Sequence, residues 1–217
     1  MDTAEIKAYK QLKDLIIRGR LPADEFLSQR MLAGKVSGSV ISVRGALRRL
    51  ENDGLIESVP KWGFRIPAET EETLKDRYFM RELLETGAVK LIVEAHNPEH
   101  EKIMRDTAKA CDSIRKINQK NIDLFAEKHF EFHMRLAHLS GSPMLAKALA
   151  RINLKSMMLL NAKRGWARGS NASKTYHMDL TDALFSGRKR TAVKAITGHV
   201  RSGLAAELKV IQEHEGT

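Results

Sequence analysis

Cysteine is all but missing from this chain: Cys111 is the single one in 217 residues. No intrachain disulfide can form, which fits a reducing cytoplasm, and a lone thiol reads as core filler before it reads as a nucleophile. Proline is scarce too, with five in all. Each falls at a point of punctuation: Pro22 and Pro60 in turns, Pro67 at a boundary, Pro98 and Pro143 at helix starts. No run approaches the ~18 apolar residues of a membrane span. The N-terminus is amphipathic rather than a basic start followed by an apolar block, so neither a signal peptide nor a membrane partner is expected. Internal repeats and low-complexity tracts are absent as well.

What is present is base. Lys and Arg number 37 against 27 Asp and Glu, a formal charge of +10, and 42% hydrophobic residues suffice for a packed core. This balance favours an anionic partner without naming one. Its distribution is more telling. Between Ser28 and Leu50 lie Arg30, Lys35, Arg44, Arg48 and Arg49, and no acidic residue. Two short amphipathic segments there flank the turn Val36-Ser37-Gly38, with Ser28 and Ser39 at N-cap positions. In the second segment Val43, Ala46, Leu47 and Leu50 form the inward stripe, leaving Ile41, Arg44, Gly45 and Arg48 pointing away. Leu55–Val59 and Phe64–Ile66 read as paired strands around a Pro60–Gly63 turn. A first helix over about 3–18, stopped by Gly19, completes a winged helix-turn-helix whose groove-sized element is also its most cationic.

After Pro67 the pattern is helical throughout. Thr70 caps a helix opened by Glu71 and Glu72, and helices are expected at about 71–95, 98–118, 120–139, 143–166, 173–186 and 189–213. Short turns between long helices imply antiparallel neighbours. The expected fold is therefore mainly α, a winged helix-turn-helix over residues 1–68 and an all-helical antiparallel bundle over 69–217.

Four histidines of the second domain suggest a shared site. His129 and His133 stand one turn apart on one helix face, and His177 and His199 come from two later helices that a bundle can bring to the same point. Imidazoles suit a divalent transition metal, zinc by default and nickel as an option, over magnesium or calcium. Spacing alone leaves open the plainer reading of hydrogen-bonded helix histidines. His96, His100, His138 and His214 show no such partnership. A metalloprotease-like site is disfavoured, because Glu131 lies two residues from each ligand and so about 200° around the helix.

These residues resemble the GntR family of bacterial transcription regulators, in its FadR-type branch with an FCD effector domain. The reader carries the likeness through Leu32-Ala33, Ser39, Val43-Arg44, Ala46-Leu47, Arg49-Leu50-Glu51, Gly54-Leu55 and Gly63. The bundle carries it through Arg81, Leu84-Glu85, Phe132-His133, Ser140-Gly141, His177 and His199, so the likeness spans nearly the whole chain. It implies a cytoplasmic, homodimeric, allosteric DNA-binding protein and no enzyme. Its partners would be a pseudo-palindromic double-stranded operator and a small organic acid held on a metal by His129, His133, His177 and His199, with Arg81 as a second contact to the acid or as an ordinary ion pair. Candidate DNA contacts are Arg30, Ser39, Ile41, Ser42, Arg44, Arg48, Lys61 and Gly63. Two departures from the family pattern matter. His129 replaces the usual aspartate ligand, which removes a negative charge, and Val40 and Gly45 replace a common arginine and glutamate in the reader. Competing expectations are a metal-free sensor of acyl-type ligands, a small metallohydrolase with a DNA anchor, and a basic helical interaction module.

Overall fold

Apolar residues three and four apart set the first helix, α1 (Ala4–Ile17), which buries Ala8 and Leu12. The computed structural model describes residues 2–17, 20–22, 25–67, 70–95, 97–114, 117–118, 120–152 and 176–215. They form two compact units, Met1–Glu69 and Thr70–Thr217.

In the first unit α1 lies against α3 (Val40–Asn52), and α2 (Gln29–Lys35) completes the helical layer. Ser28 accepts a hydrogen bond from the Met31 N–H and Ser39 one from the Ser42 N–H, at 3.1 and 3.2 Å. Each cap satisfies a donor the helix leaves unpaired, a contribution of about 1 kcal/mol. Leu12, Leu32, Val43, Leu47, Leu50 and Phe64 form the core. Full burial of a leucine contributes about 1.5–3 kcal/mol. Two strands, β1 (Glu57–Val59) and β2 (Gly63–Arg65), pair antiparallel, and Leu27 adds a bridge to Phe64.

β1 starts later than the expected Leu55 because α3 claims the backbone there. Gly54 sits at φ +68°, and the Leu55 N–H donates to the Leu50 carbonyl at 2.9 Å, closing the helix with a left-handed cap. Gly45 also departs from expectation. It faces α1 rather than solvent, and a Cβ there would collide with the Glu5 carboxylate.

The second unit contains α4 (Glu71–Ala95), α5 (Pro98–Asp112), α6 (Ile122–Leu139), α7 (Pro143–Arg151), α8 (Tyr176–Leu184) and α9 (Lys189–Glu215). α4 and α9 run together over the longest contact, α5 packs on α6 and α8, and α8 on α9. Leu74, Tyr78, Ile92, Met104, Phe132, Leu136, Leu149 and Ile196 lie in their shared core. α4 spans its expected residues. α5 ends six residues before the expected 118, since asparagine side chains organise a turn instead: Asn121 Oδ1 accepts from the Asn118 N–H at 2.7 Å, and Asn118 Oδ1 from the Lys120 N–H at 2.9 Å. The expected continuation to 166 and the start at 173 lie outside the described residues. Among those described, no helix is long and apolar enough to cross a membrane.

Candidate metal centre and DNA-reading surface

In the first unit Ile41 is 84% exposed, and the candidate contacts Arg30, Arg44, Arg48 and Lys61 are exposed as well. Ser39 is exposed as the α3 cap. Ser42 is not available to a partner: it is 8% exposed, and its hydroxyl donates to the Ser39 carbonyl at 2.8 Å. Its place is in the cap of α3, where an inward residue three after the N-cap closes the first turn. Gly63 adopts φ +108° with the site of a Cβ only 2.8 Å from the Leu27 carbonyl oxygen, so the hairpin presses on the start of α2 as no side chain would allow.

The second unit turns its functional groups inward. α6 carries His129 and His133, α8 carries His177 in its first turn, and α9 carries His199. One nitrogen of each, taken together, falls within 4.8 Å of the others. All four sequence-selected imidazoles therefore meet at one point.

Two carboxylates orient the rings. His133 Nδ1–H donates to Glu85 Oε2 at 2.5 Å, and His177 Nδ1–H to Asp112 Oδ1 at 2.7 Å. In each case Nε2 is left with its lone pair facing the cluster, the tautomer that a metal ligand requires. Asp112 Oδ2 also accepts from the backbone N–H groups of His177 and Met178 at 3.2 and 2.9 Å, which anchors the start of α8. Arg81 is buried beside them. Its Nε donates to Glu85 Oε1 at 2.7 Å, and its Nη2 lies 3.0 Å from His133 Nε2.

Burial, and then the neighbouring positive charges the rings would present to one another, hold His129 well below the usual imidazole range. Burial and the Arg81 guanidinium do the same for His133, and burial and His133 for His199. These rings are neutral at pH 7, as ligands must be. Burial works against charge on Arg81 too, but Glu85, Tyr78 and Glu207 together more than offset it. Cys111, whose Sγ lies 4.0 Å from His177 Nε2, has its thiol pushed up by burial and stays protonated.

A metal fits this donor set on two grounds. His129 Nε2 is buried and has no hydrogen-bond partner among the described residues, an arrangement that wastes a polar atom unless something binds it. The Nε2 atoms of His133 and His199 are 3.2 Å apart, close to the ~3.0–3.4 Å between adjacent ligands each ~2.1 Å from one ion. Glu131 pairs with Lys128 at 2.9 Å and is not part of the cluster.

Sequence reasoning missed the orienting role of Glu85 and missed Asp112 altogether. Both had a signal. Arg81 and Glu85 fall in the buried stripe of α4 with Leu74, Tyr78, Ala88 and Ile92, where a charge needs a partner. Asp112 ends α5, where the helix dipole disfavours an acid unless another element claims it.

Comparison with known proteins yields two family matches: residues 5–66 match the gntR family of bacterial regulatory proteins, and residues 76–202 the FCD domain. The chain is 27% identical over 158 residues to the HTH-type transcriptional repressor GlaR of Escherichia coli, covering 70% of each. To the probable D-xylose utilization operon transcriptional repressor of Paenarthrobacter nicotinovorans it is 26% identical, over 90% of this chain and 87% of that one. The match to the uncharacterized HTH-type transcriptional regulator YdhC of Bacillus subtilis, 29% identical, spans 60% of this chain and 62% of that protein. Among solved structures, E. coli McbR/YncC superposes with a TM-score of 0.70 at 20% identity, over 99% of this chain and 100% of that one. This last likeness bears on the fold alone.

Proposed function

The chain belongs to the GntR family of bacterial regulatory proteins, with an FCD domain behind its reader, and we propose that this DNA-binding transcriptional regulator senses a small carboxylate through a metal held by His129, His133, His177 and His199. The observation that carries the sensing half is the buried His129 Nε2, without a hydrogen-bond partner among the described residues, beside three other converging imidazoles. Zinc suits the set best, with nickel as the alternative. When bound, the metal supplies a positive charge that four neutral ligands leave uncompensated, which favours an anionic group in the low-dielectric interior.

The protein's own groups do the rest. Glu85 and Asp112 hold two rings in the binding tautomer. Arg81 is within reach of the same point and offers its guanidinium to a carboxylate. α4 carries Arg81 and Glu85 and follows the reader directly in the chain. Rearrangement of these side chains around a ligand thus acts on the helix joined to the DNA-binding unit, and a ligand that prefers one arrangement shifts operator affinity. A homodimer, with two readers on a pseudo-palindromic operator, completes the reading. Phe79 and Leu83 are exposed on α4 and offer apolar surface to a second copy. Arg44, Arg48 and Ile41 face the groove, Arg30 and Lys61 the phosphates, with Ser39 and Gly63 at the backbone.

Metal analysis after zinc loading and dialysis tests the sensor. Wild type retains stoichiometric zinc and His133→Ala loses it, while acetate or succinate alters operator affinity only in the loaded wild type. If wild type retains none, the metal-free sensor replaces this reading.

A further inference from the structure

The tip of α3 carries two aliphatic side chains that the core does not use. Ile41 is 84% exposed and Val40 50% exposed, and neither belongs to the apolar cluster of the first unit or packs against it. A surface helix keeps such residues on its inner stripe as a rule. Both are β-branched, so on a helix each holds its methyl groups in one strongly preferred rotamer. The pair is a stiff apolar surface left in water.

Position gives that surface a use. Ser39 is the N-cap, which makes Val40 and Ile41 the first two residues of the helix, and the N-terminal residues of a recognition helix are the ones that meet base edges in the major groove. The hydroxyls of the tip are engaged in the cap: Ser42 donates to the Ser39 carbonyl at 2.8 Å, and Ser39 Oγ accepts from the Ser42 N–H at 3.2 Å. Arg44 follows one turn on, at three residues from Ile41 and four from Val40, and Arg48 one turn beyond, both exposed. The carboxylate nearest that face, Glu5 beside Gly45, is paired with Arg49 at 2.7 Å. A tip of methyl groups followed by two guanidinium groups suits a groove whose floor carries the bases and whose walls are phosphates.

We propose that Val40 and Ile41 read thymine in the major groove by packing on its 5-methyl group, within about two base pairs of the base that meets Arg44. The inference rests on the DNA-binding assignment of the first unit and adds the class of base. Chemistry singles out thymine. Of the four bases it alone shows a methyl group in that groove; the others show only donors and acceptors. An aliphatic side chain laid on the amino group of cytosine or adenine, or on guanine O6, would bury a polar atom without a partner. On the thymine methyl it removes apolar surface of both molecules from water. The spacing follows from helix geometry, since three or four residues advance ~4.5–6 Å along the axis, one to two base steps of ~3.4 Å.

Deoxyuridine tests this directly, because it differs from thymidine by that methyl group. The full-length protein first selects binding sequences from a random-core duplex library, and the selected duplex is then remade with deoxyuridine at one thymidine position at a time. At one or two positions the change should weaken wild type about fourfold per methyl. Val40→Ala/Ile41→Ala should bind the thymidine duplex about as weakly as wild type binds the deoxyuridine one, and should be indifferent to deoxyuridine at those positions. The cycle separates contact from shape: an effect on DNA deformability persists in the variant, whereas a lost contact does not. An unchanged thermal midpoint shows that the variant is folded, as expected for exposed residues. Deoxyuridine tolerated by wild type at every position, or losses of equal size in wild type and variant, overturns methyl reading. Wild type that enriches no sequence defeats the reader assignment itself, and thymine reading with it.

Discussion

The two units solve opposite problems. The reader keeps a small apolar core and leaves Arg30, Arg44, Arg48 and Lys61 exposed, where a partner can bring compensating charge. The helical unit buries Arg81, Glu85, Asp112, His133 and His177 and must balance them internally. A substitution at the reader's surface should therefore cost binding and leave the fold alone, whereas one in the imidazole cluster disturbs both. The contrast is open to test, and the sharpest test is the buried ion pair. Glu85→Ala leaves the Arg81 guanidinium in the interior without its carboxylate and His133 Nδ1 without its acceptor. Loss of one partner of a dry pair costs about 3–5 kcal/mol, far more than the pair itself contributes. Urea denaturation should show that loss in Glu85→Ala and substantial recovery in Arg81→Met/Glu85→Leu, where no charge remains. A cost below 1 kcal/mol would mean that water reaches the pair and that the unit is not dry inside.

Asp112 sharpens the comparison further, since it serves structure and site together. Asp112→Asn keeps an oxygen for the His177 and Met178 N–H groups but removes the carboxylate charge that accepts from the His177 ring. Replacing such an orienting partner lowers metal affinity by about 10–100-fold. Competition against a chromophoric chelator should report that change, with the operator affinity of the metal-free protein unaltered. Unchanged metal affinity beside a lowered thermal midpoint would reduce Asp112 to a helix anchor. Arg44→Ala is the mirror case in the reader: about 1–3 kcal/mol lost from operator binding and nothing from metal.

Legibility followed the same division. The reader's residues announce themselves because local chemistry fixes them: a serine before α2 and before α3, a stripe at helical spacing, a glycine where the hairpin needs φ above zero. Its errors were matters of side. Ser42 and Gly45 both turned inward, since the approach of α1 to α3 depends on Glu5 and Ala8, thirty or more residues away in sequence. In the bundle the four histidines were recoverable because two stand one turn apart on one helix and imidazole is chemically pointed. Asp112 was not, since 65 residues separate it from the ring it holds. Only packing joins α5 to α8, and no periodicity within either helix encodes that.

The smallest effect comes where the reader's own packing meets helix propensity. Gly45 in the middle of α3 costs about 1 kcal/mol relative to alanine, which predicts that Gly45→Ala stabilises. Against this, the new Cβ would meet the Glu5 side chain, which pairs with Arg49 Nε at 2.7 Å. Glu5 is a flexible, partly exposed side chain, and the pair it would surrender is a surface one, of ~0.2–1 kcal/mol. The propensity gain wins narrowly, so Gly45→Ala should stabilise the reader by about 0.5 kcal/mol. In a Glu5→Ala background the obstacle is gone and the full ~1 kcal/mol should appear. Thermal denaturation of the four proteins of this cycle measures both. Destabilisation of Gly45→Ala even without Glu5 would mean that α1 and α3 need the glycine for their own approach. The reader's surface would then be set by packing as strict as that around the buried imidazoles, and the contrast between the units would fail at that crossing.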